Sequence, residues 1–119
     1  MNKEIENYKS ELIELLEKLP NEKIYKLINL ILKSGEINRS IYIAGNGGSA
    51  ATASHFAVDL NKTVLGKHAK KRRKRLRAIC LNDNVPLLTA WGNDSSYDDV
   101  FSEPLQNFGQ KARFFAKSK

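Results

Sequence analysis

Ile41-Tyr42-Ile43-Ala44-Gly45-Asn46-Gly47-Gly48-Ser49-Ala50 is the stretch whose reading decides the fold. Four residues of β-branched, aromatic and small apolar type predict a short strand. Three glycines within four positions then predict a tight turn, and Ser49 opens a segment rich in helix formers that continues to about Leu60. Such a strand, loop and helix present backbone N–H groups without side chains in the way. Together with the positive end of the helix, they form an anion site suited to a phosphate or carboxylate. The loop is neither the dinucleotide pattern G-x-G-x-x-G nor a P-loop followed by Lys-Ser/Thr, so a phosphorylated small molecule is expected in preference to NAD or ATP.

On the helix from about Ala50 to Leu60, Ala53, Phe56, Ala57 and Leu60 share one face. His55 and Asp59, four residues apart, lie roughly opposite. If the apolar face packs on the sheet, this pair points outward, to solvent or to another subunit. A His and a carboxylate at that spacing can hold a metal or share proton transfer, although a solvated ion pair is the commoner occurrence. The small residues Ala50, Ala51, Ala53, Ser54 and Ala57 permit close approach of a neighbouring backbone.

Upstream, Ile5, Tyr8, Leu12, Leu15, Leu16 and Leu19 recur at spacings of three and four, which predicts an amphipathic helix over residues 3–19. Pro20 ends it. Asn21 is the expected cap of a second helix to about Lys33, with Gly35 as its stop. The apolar residues of this second helix cover well over half its circumference, so contact is expected on two sides, one of them the first helix or the sheet and the other a second subunit.

Downstream, residues 61–76 show no hydrophobic period and read as an exposed loop in which His68 is solvated. Arg77-Ala78-Ile79-Cys80-Leu81 predicts a second strand, closed by Asn82-Asp83-Asn84. A helix over Val85–Trp91, with Pro86 in its first turn, is expected next. After it come a loop at Gly92–Ser96 and a helix through Tyr97, Val100, Phe101, Leu105 and Phe108, capped by Ser95 or Ser96. Pro104 is expected to kink or restart that helix. Two strands flanking a helix make a parallel βαβ unit, and parallel sheets ordinarily hold more strands than two. The architecture reads as half of an α/β domain.

Composition narrows the function classes. The chain has 119 residues, 41% of them apolar and 28% charged, which fits one globular domain. Its N-terminus is charged, and no apolar run approaches the ~20 residues of a membrane span. A cytoplasmic protein without a membrane partner is the expectation. Cys80 is the single cysteine, so no internal disulfide forms, and its apolar neighbours predict a buried thiol. The net charge of +7 is unevenly placed. Lys67, Lys70, Lys71, Arg72, Arg73, Lys74, Arg75 and Arg77 carry +8, Lys111, Arg113, Lys117 and Lys119 carry +4, and the rest of the chain sums to −5. Without stacking aromatics or a recognition helix, the basic run reads as a solvated loop, and nucleic acid is not an expected partner.

Several of these segments, taken in order, resemble the sugar-isomerase (SIS) domain and, within it, the phosphoheptose isomerases. They are Ala44-Gly45-Asn46-Gly47-Gly48-Ser49, His55-Phe56-Ala57, Ala78-Ile79-Cys80-Leu81, Leu88-Thr89-Ala90-Trp91-Gly92-Asn93-Asp94 and Asp99-Val100-Phe101. The resemblance covers about residues 3–110 and corresponds to the N-terminal half, or slightly more, of such a protein. It implies a three-layer α/β/α parallel sheet of flavodoxin-like type, here incomplete, preceded by a helical hairpin that builds a homotetramer with active sites at subunit interfaces. It implies domains at 1–36 (oligomerising hairpin) and 37–110 (first half of the SIS domain), with a basic tail at 111–119.

The implied activity converts sedoheptulose 7-phosphate to an aldoheptose 7-phosphate through an enediol, supplying heptose for surface polysaccharide. Asn46, Gly47, Gly48, Asn93 and Asp94 stand where the family touches substrate, with Ser49 beside them. His55 stands at a zinc position, and Asp59 at one that binds metal and substrate and transfers protons. The family usually has Glu at the Asp59 position, one methylene longer. Its Ser/Thr-rich second phosphate loop and the helix carrying further Gln and His ligands have no counterpart in this chain, and the tail after Gln110 reads as a truncation or frameshift. The alternative implied by the fold is a non-catalytic module that binds a phosphosugar or a protein, such as a replication-initiator-associating protein.

Overall fold

A computed structural model describes residues 2–68 and 74–109. The centre of the basic segment and the tail from 110 onward lie outside the described residues. The chain divides into two compact units, Met1–Lys33 and Ser34–Lys119.

The first unit holds helix α1 (Asn2–Glu17) and most of helix α2 (Asn21–Glu36). Exposed Lys9–Glu6 and Lys18–Glu14 pairs line the polar side of α1. Between the helices, the carbonyl of Pro20 accepts from Lys23 N–H at 2.9 Å and from Ile24 N–H at 3.2 Å, and Asn21 is already helical. Pro20, not Asn21, therefore takes the cap position. Neither helix has a buried residue, and Leu16 and Leu27 are 58% and 51% exposed.

In the second unit, α2 does not stop at Gly35. It runs one residue further, to Glu36, and closes in a Schellman motif, where Arg39 N–H donates to Ser34 O at 2.8 Å, Asn38 N–H donates to Gly35 O at 3.4 Å, and Asn38 adopts a left-handed φ of 53°. Asn substitutes for glycine there because its short polar side chain tolerates that region. Gly35 serves packing instead, since a Cβ on it would lie 2.9 Å from Leu76 Cδ2.

Strands β1 (Ser40–Ile43) and β2 (Arg77–Cys80) pair in parallel, with Ile41 opposite Ala78 and Ile43 opposite Cys80. Helix α3 (Gly48–Asn61) connects them as the crossover and buries Ala53, Ala57 and Leu60. Phe56, expected on the buried face, is 39% exposed. Ala78, Cys80 and Leu81 complete this part of the core. At the outer edge of β2, the amide of Asn61 accepts from Ala78 N–H at 2.9 Å and donates to Ala78 O at 2.8 Å. Leu81 N–H donates to Ile43 O at 2.9 Å, so alternate residues 77, 79 and 81 face β1 and Ala78 faces away. Asn61 thus does at that edge what a third strand would do.

The expected loop at 61–76 is in part structured. Thr63–His68 forms 3₁₀ turns broken at Gly66 (φ 53°), and Leu65 is buried against the body. After β2, helix α4 (Val85–Asp94) is capped by Asn84, whose side chain accepts from Leu87 N–H at 3.2 Å. It runs through Gly92 to Asp94 rather than ending at Trp91, and a Cβ at 92 would meet Val100 Cγ1 at an ordinary contact distance of 3.5 Å. Helix α5 (Asp99–Phe108) packs on α4 through Val100, 1% exposed, and includes the buried Pro104 without interruption. Asp98 occupies its cap position, where Ser95 or Ser96 was expected. Tyr42 Oη reaches the far end of α5 and donates to Phe108 O at 2.5 Å. The α/β class expected from the sequence, with a parallel sheet and preceding helices, is the class observed.

Candidate functional site

The glycine loop leaves β1 at its C-terminal end and is held in shape by a residue of the other strand's exit. Gly45 N–H donates to Asn82 Oδ1 at 3.0 Å, and Asn82 Nδ2 donates to Gly45 O at 2.7 Å, so one amide brackets both backbone groups of the glycine. The chain folds back so tightly here that a Cβ on Gly45 would lie 2.4 Å from Ser49 O. Gly47 follows with φ 55° and ψ −125°, a conformation that costs an L-residue dearly. Around Gly47 and Gly48 nothing lies within 4 Å of where a Cβ would be. The loop is therefore uncrowded at Gly47 and Gly48, with the positive end of α3 behind it, while the N–H groups of Ser49 and Ala50 donate to Asn46 O and Gly47 O at 3.0 Å each.

Asn46 stands at the mouth of this loop. Its backbone carbonyl accepts from Ser49 N–H at 3.0 Å, and its side-chain Oδ1 accepts from Tyr97 Oη at 2.6 Å. Asn93 and Asp94 occupy the last turn of α4, where Asn93 Nδ2 donates to Asp94 Oδ1 at 2.8 Å. Tyr97, three residues on from Asp94, connects their segment to the glycine loop.

His55 and Asp59 project from the exposed side of α3, as the helical wheel required. His55 Nε2 is 3.8 Å from Asp59 Oδ1, with the side chains 77% and 45% exposed. That is too long for a hydrogen bond, and a screened pair of this kind contributes about 0–1 kcal/mol. The two groups are free to turn toward a ligand. A zinc ion takes nitrogen and carboxylate ligands at ~2.0–2.2 Å, and the separation of His55 and Asp59 suits adjacent corners of its tetrahedron. They fit as two ligands. No group of three His, Cys, Asp or Glu is gathered among the described residues, so the two alone do not make a complete zinc site.

Asp59 lies ten residues along α3 from Ser49, about 15 Å at 1.5 Å per residue. The structure therefore brings together Asn46, Gly47, Gly48 and Ser49, with the Asn93–Asp94 segment tied on through Tyr97, and separately His55 with Asp59. It does not bring the two groups together in one chain. A groove of about 530 Å³ lined by Ala57, Asn61, Ala78, Cys80, Asp83 and Pro86 lies beyond the edge of β2 and includes none of these residues. It is open, and of the polar residues that line it Asn61 is paired with Ala78 and Asn84 with Leu87 N–H, so the glycine loop remains the better candidate.

A model of the SIS domain matches residues 6–112. The chain belongs to the SIS-domain family. Among curated relatives, this SIS protein is 38% identical over 111 residues to a phosphoheptose isomerase of Helicobacter pylori, covering 93% of the chain and 55% of that protein. It is 39% identical over 92 residues to a phosphoheptose isomerase of Helicobacter hepaticus, covering 77% of the chain and 44% of that protein. The solved structure of phosphoheptose isomerase GmhA from Neisseria gonorrhoeae superposes with a TM-score of 0.73 at 28% identity, over 92% of this chain and 55% of that one. The SIS chain thus spans about half the length of the curated relatives it matches.

Sequence reasoning missed Asn82, Asn61 and Tyr97. The first two were legible only as turn and helix-end residues, because pairing with backbone across the fold leaves no local pattern. Tyr97, an aromatic among Asn, Asp and Ser residues, is expected on the helix with Val100 and Phe101, yet it lies ahead of α5 and is 58% exposed.

Proposed function

We propose that this chain supplies one half of a phosphoheptose isomerase site that interconverts sedoheptulose 7-phosphate and an aldoheptose 7-phosphate. The observation that carries the reading is the bracketed glycine loop at the start of α3, opening onto free space within a chain that resembles phosphoheptose isomerases over nearly its whole length. In this reading the backbone donors of Gly47 and Gly48, with Ser49, hold an anionic group of the substrate. Asn46, Asn93 and Asp94 meet sugar hydroxyls.

Asp59 takes the proton from C1 of the ketose as O2 gains one, leaving an enediol, and returns its proton to C2 as O1 gives one up, so that C1 becomes the aldehyde and C2 the CHOH centre of the aldose. The ~15 Å between Asp59 and Ser49 along α3 favours a site in which one subunit's Asp59 serves another's loop. The exposed apolar stripes of α1 and α2 are the means of assembly, and a homotetramer is the proposed state. Zinc, where it binds, would be held in part by His55 and Asp59 and would polarise the substrate's carbonyl and hydroxyl oxygens. The product would feed heptose into a surface polysaccharide, and the place of action would be the cytoplasm.

The test is a chimera in which residues 1–109 replace the corresponding part of the Helicobacter pylori enzyme, assayed for aldoheptose 7-phosphate formation with and without zinc. Turnover that Asp59→Asn abolishes is the expected result. A folded, tetrameric chimera with no turnover refutes the isomerase reading in favour of a non-catalytic SIS module.

A further inference from the structure

We infer that Tyr97 is a positioning residue for substrate recognition, fixing the amide of Asn46 so that its N–H₂ group faces the open space above the glycine loop. The inference deepens the phosphosugar reading and rests on it. Tyr97 Oη donates to Asn46 Oδ1 at 2.6 Å across 51 residues of sequence. An Asn amide has a donor end and an acceptor end of nearly the same shape, and on an exposed loop it would present either. A hydroxyl donor committed to Oδ1 removes that ambiguity. The two N–H donors of Asn46 are then turned toward the substrate, where sugar hydroxyl and carbonyl oxygens accept.

Tyr97 is itself held still. Asp99 N–H donates to Ser96 O at 3.0 Å, Asp98 N–H donates to Ser96 Oγ at 3.2 Å, and Ser95 Oγ donates to Asp99 Oδ2 at 2.6 Å, so the turn carrying Tyr97 is braced on both sides. Val100, three residues on, is the most deeply buried side chain of the unit and anchors that turn to α4. The ring of Tyr97 is 58% exposed and contributes little to the core. Its place is explained by the bond it makes. Because the same turn follows directly on Asn93 and Asp94, Tyr97 also sets the register between that pair and the loop.

The experiment uses the full 119-residue chain. Binding of sedoheptulose 7-phosphate and of inorganic phosphate is measured by amide chemical-shift titration for wild type, Tyr97→Phe, Asn46→Ala and the double variant, with the Asn46 side-chain N–H₂ resonances followed throughout. Tyr97→Phe is expected to shift those resonances in the free protein and to weaken the sugar phosphate about 3- to 10-fold, the equivalent of one neutral hydrogen bond. Inorganic phosphate, held by the backbone, should bind Tyr97→Phe as it binds wild type. In the Asn46→Ala background, Tyr97→Phe should cost the sugar phosphate nothing further. Equal binding of the sugar phosphate by wild type and Tyr97→Phe, or losses that add in the double variant, overturns the positioning role alone. A wild-type chain that binds neither ligand overturns the phosphosugar reading and this inference with it.

Discussion

Replacing the three loop glycines by alanine, one at a time, should give three different costs. At Gly45 the new Cβ would sit 2.4 Å from Ser49 O, 2.5 Å from its carbonyl carbon and 2.9 Å from Ala50 N, against an ordinary contact distance of ~3.5–4.0 Å. All three atoms are backbone, so no side chain can swing away. Relief requires the loop to open. Overpacking of this kind costs ~1–3 kcal/mol, and an opened loop also loses the two Asn82 bonds at ~0.5–1.5 kcal/mol each. The sum is about 2–6 kcal/mol, a large part of a typical domain stability of ~5–15 kcal/mol.

Gly47→Ala meets no atom but must adopt φ 55° and ψ −125°, at ~1–3 kcal/mol. Gly48→Ala meets no atom, has no left-handed φ, and begins a helix, so it should be neutral or gain up to ~1 kcal/mol. Urea unfolding followed by the fluorescence of Trp91, the single tryptophan, reads the unit that contains the loop. The midpoints should fall in the order Gly48→Ala, Gly47→Ala, Gly45→Ala, with the last shifted by at least ~0.7 M at an m of ~1–3 kcal/mol/M. A Gly45→Ala midpoint equal to wild type would refute the steric argument and the bracketed geometry behind it.

Asn61→Ala should destabilise by ~1–3 kcal/mol, because it strands a part-buried N–H and carbonyl of Ala78. Hydrogen exchange at the Ala78 amide should quicken at least tenfold, and unchanged protection there would show that the Asn61 pairing is not formed in solution. Burial raises the Cys80 thiol above its ordinary value of 9.0, so the folded state keeps a proton that the unfolded state releases. Above about pH 9 the unfolded chain binds fewer protons than the folded one, and stability should fall as pH rises; below it Cys80 contributes no pH dependence. Alkylation by iodoacetamide should accordingly track unfolding, and rapid labelling of native protein at pH 8 would contradict the buried placement.

How much could be read from sequence depended on whether the cause of a feature was local. The strand at Ser40–Ile43, the crossover helix and the outward face of His55 and Asp59 follow from residue periodicity, and all three stand in the structure. Helix ends were another matter. Gly35 and Gly92 read as stops, yet both lie inside helices, and at Gly35 the side chain of Leu76, distant in sequence, occupies the space where a Cβ would stand. The real stop of α2 is Asn38, whose left-handed φ depends on the Schellman bonds around it. The loop of the candidate site was legible as a glycine pattern. Its bracing by Asn82 and Tyr97 was not, since an Asn and a Tyr in polar turns look alike whether or not they reach across the fold.

The Asn61 amide gives the two-stranded sheet a polarity. Exposed strand edges are templates for pairing with any extended chain, and proteins that leave them open risk joining edge to edge. Here one side chain occupies both hydrogen-bonding groups of Ala78, and the margin beyond β2 is shut to newcomers at its centre. Among the described residues nothing pairs with the other margin, along Ser40–Ile43. Any further strand, whether from the same polypeptide or from a stranger in a crowded cell, therefore has one side on which to join, and that side is the strand that feeds the glycine loop.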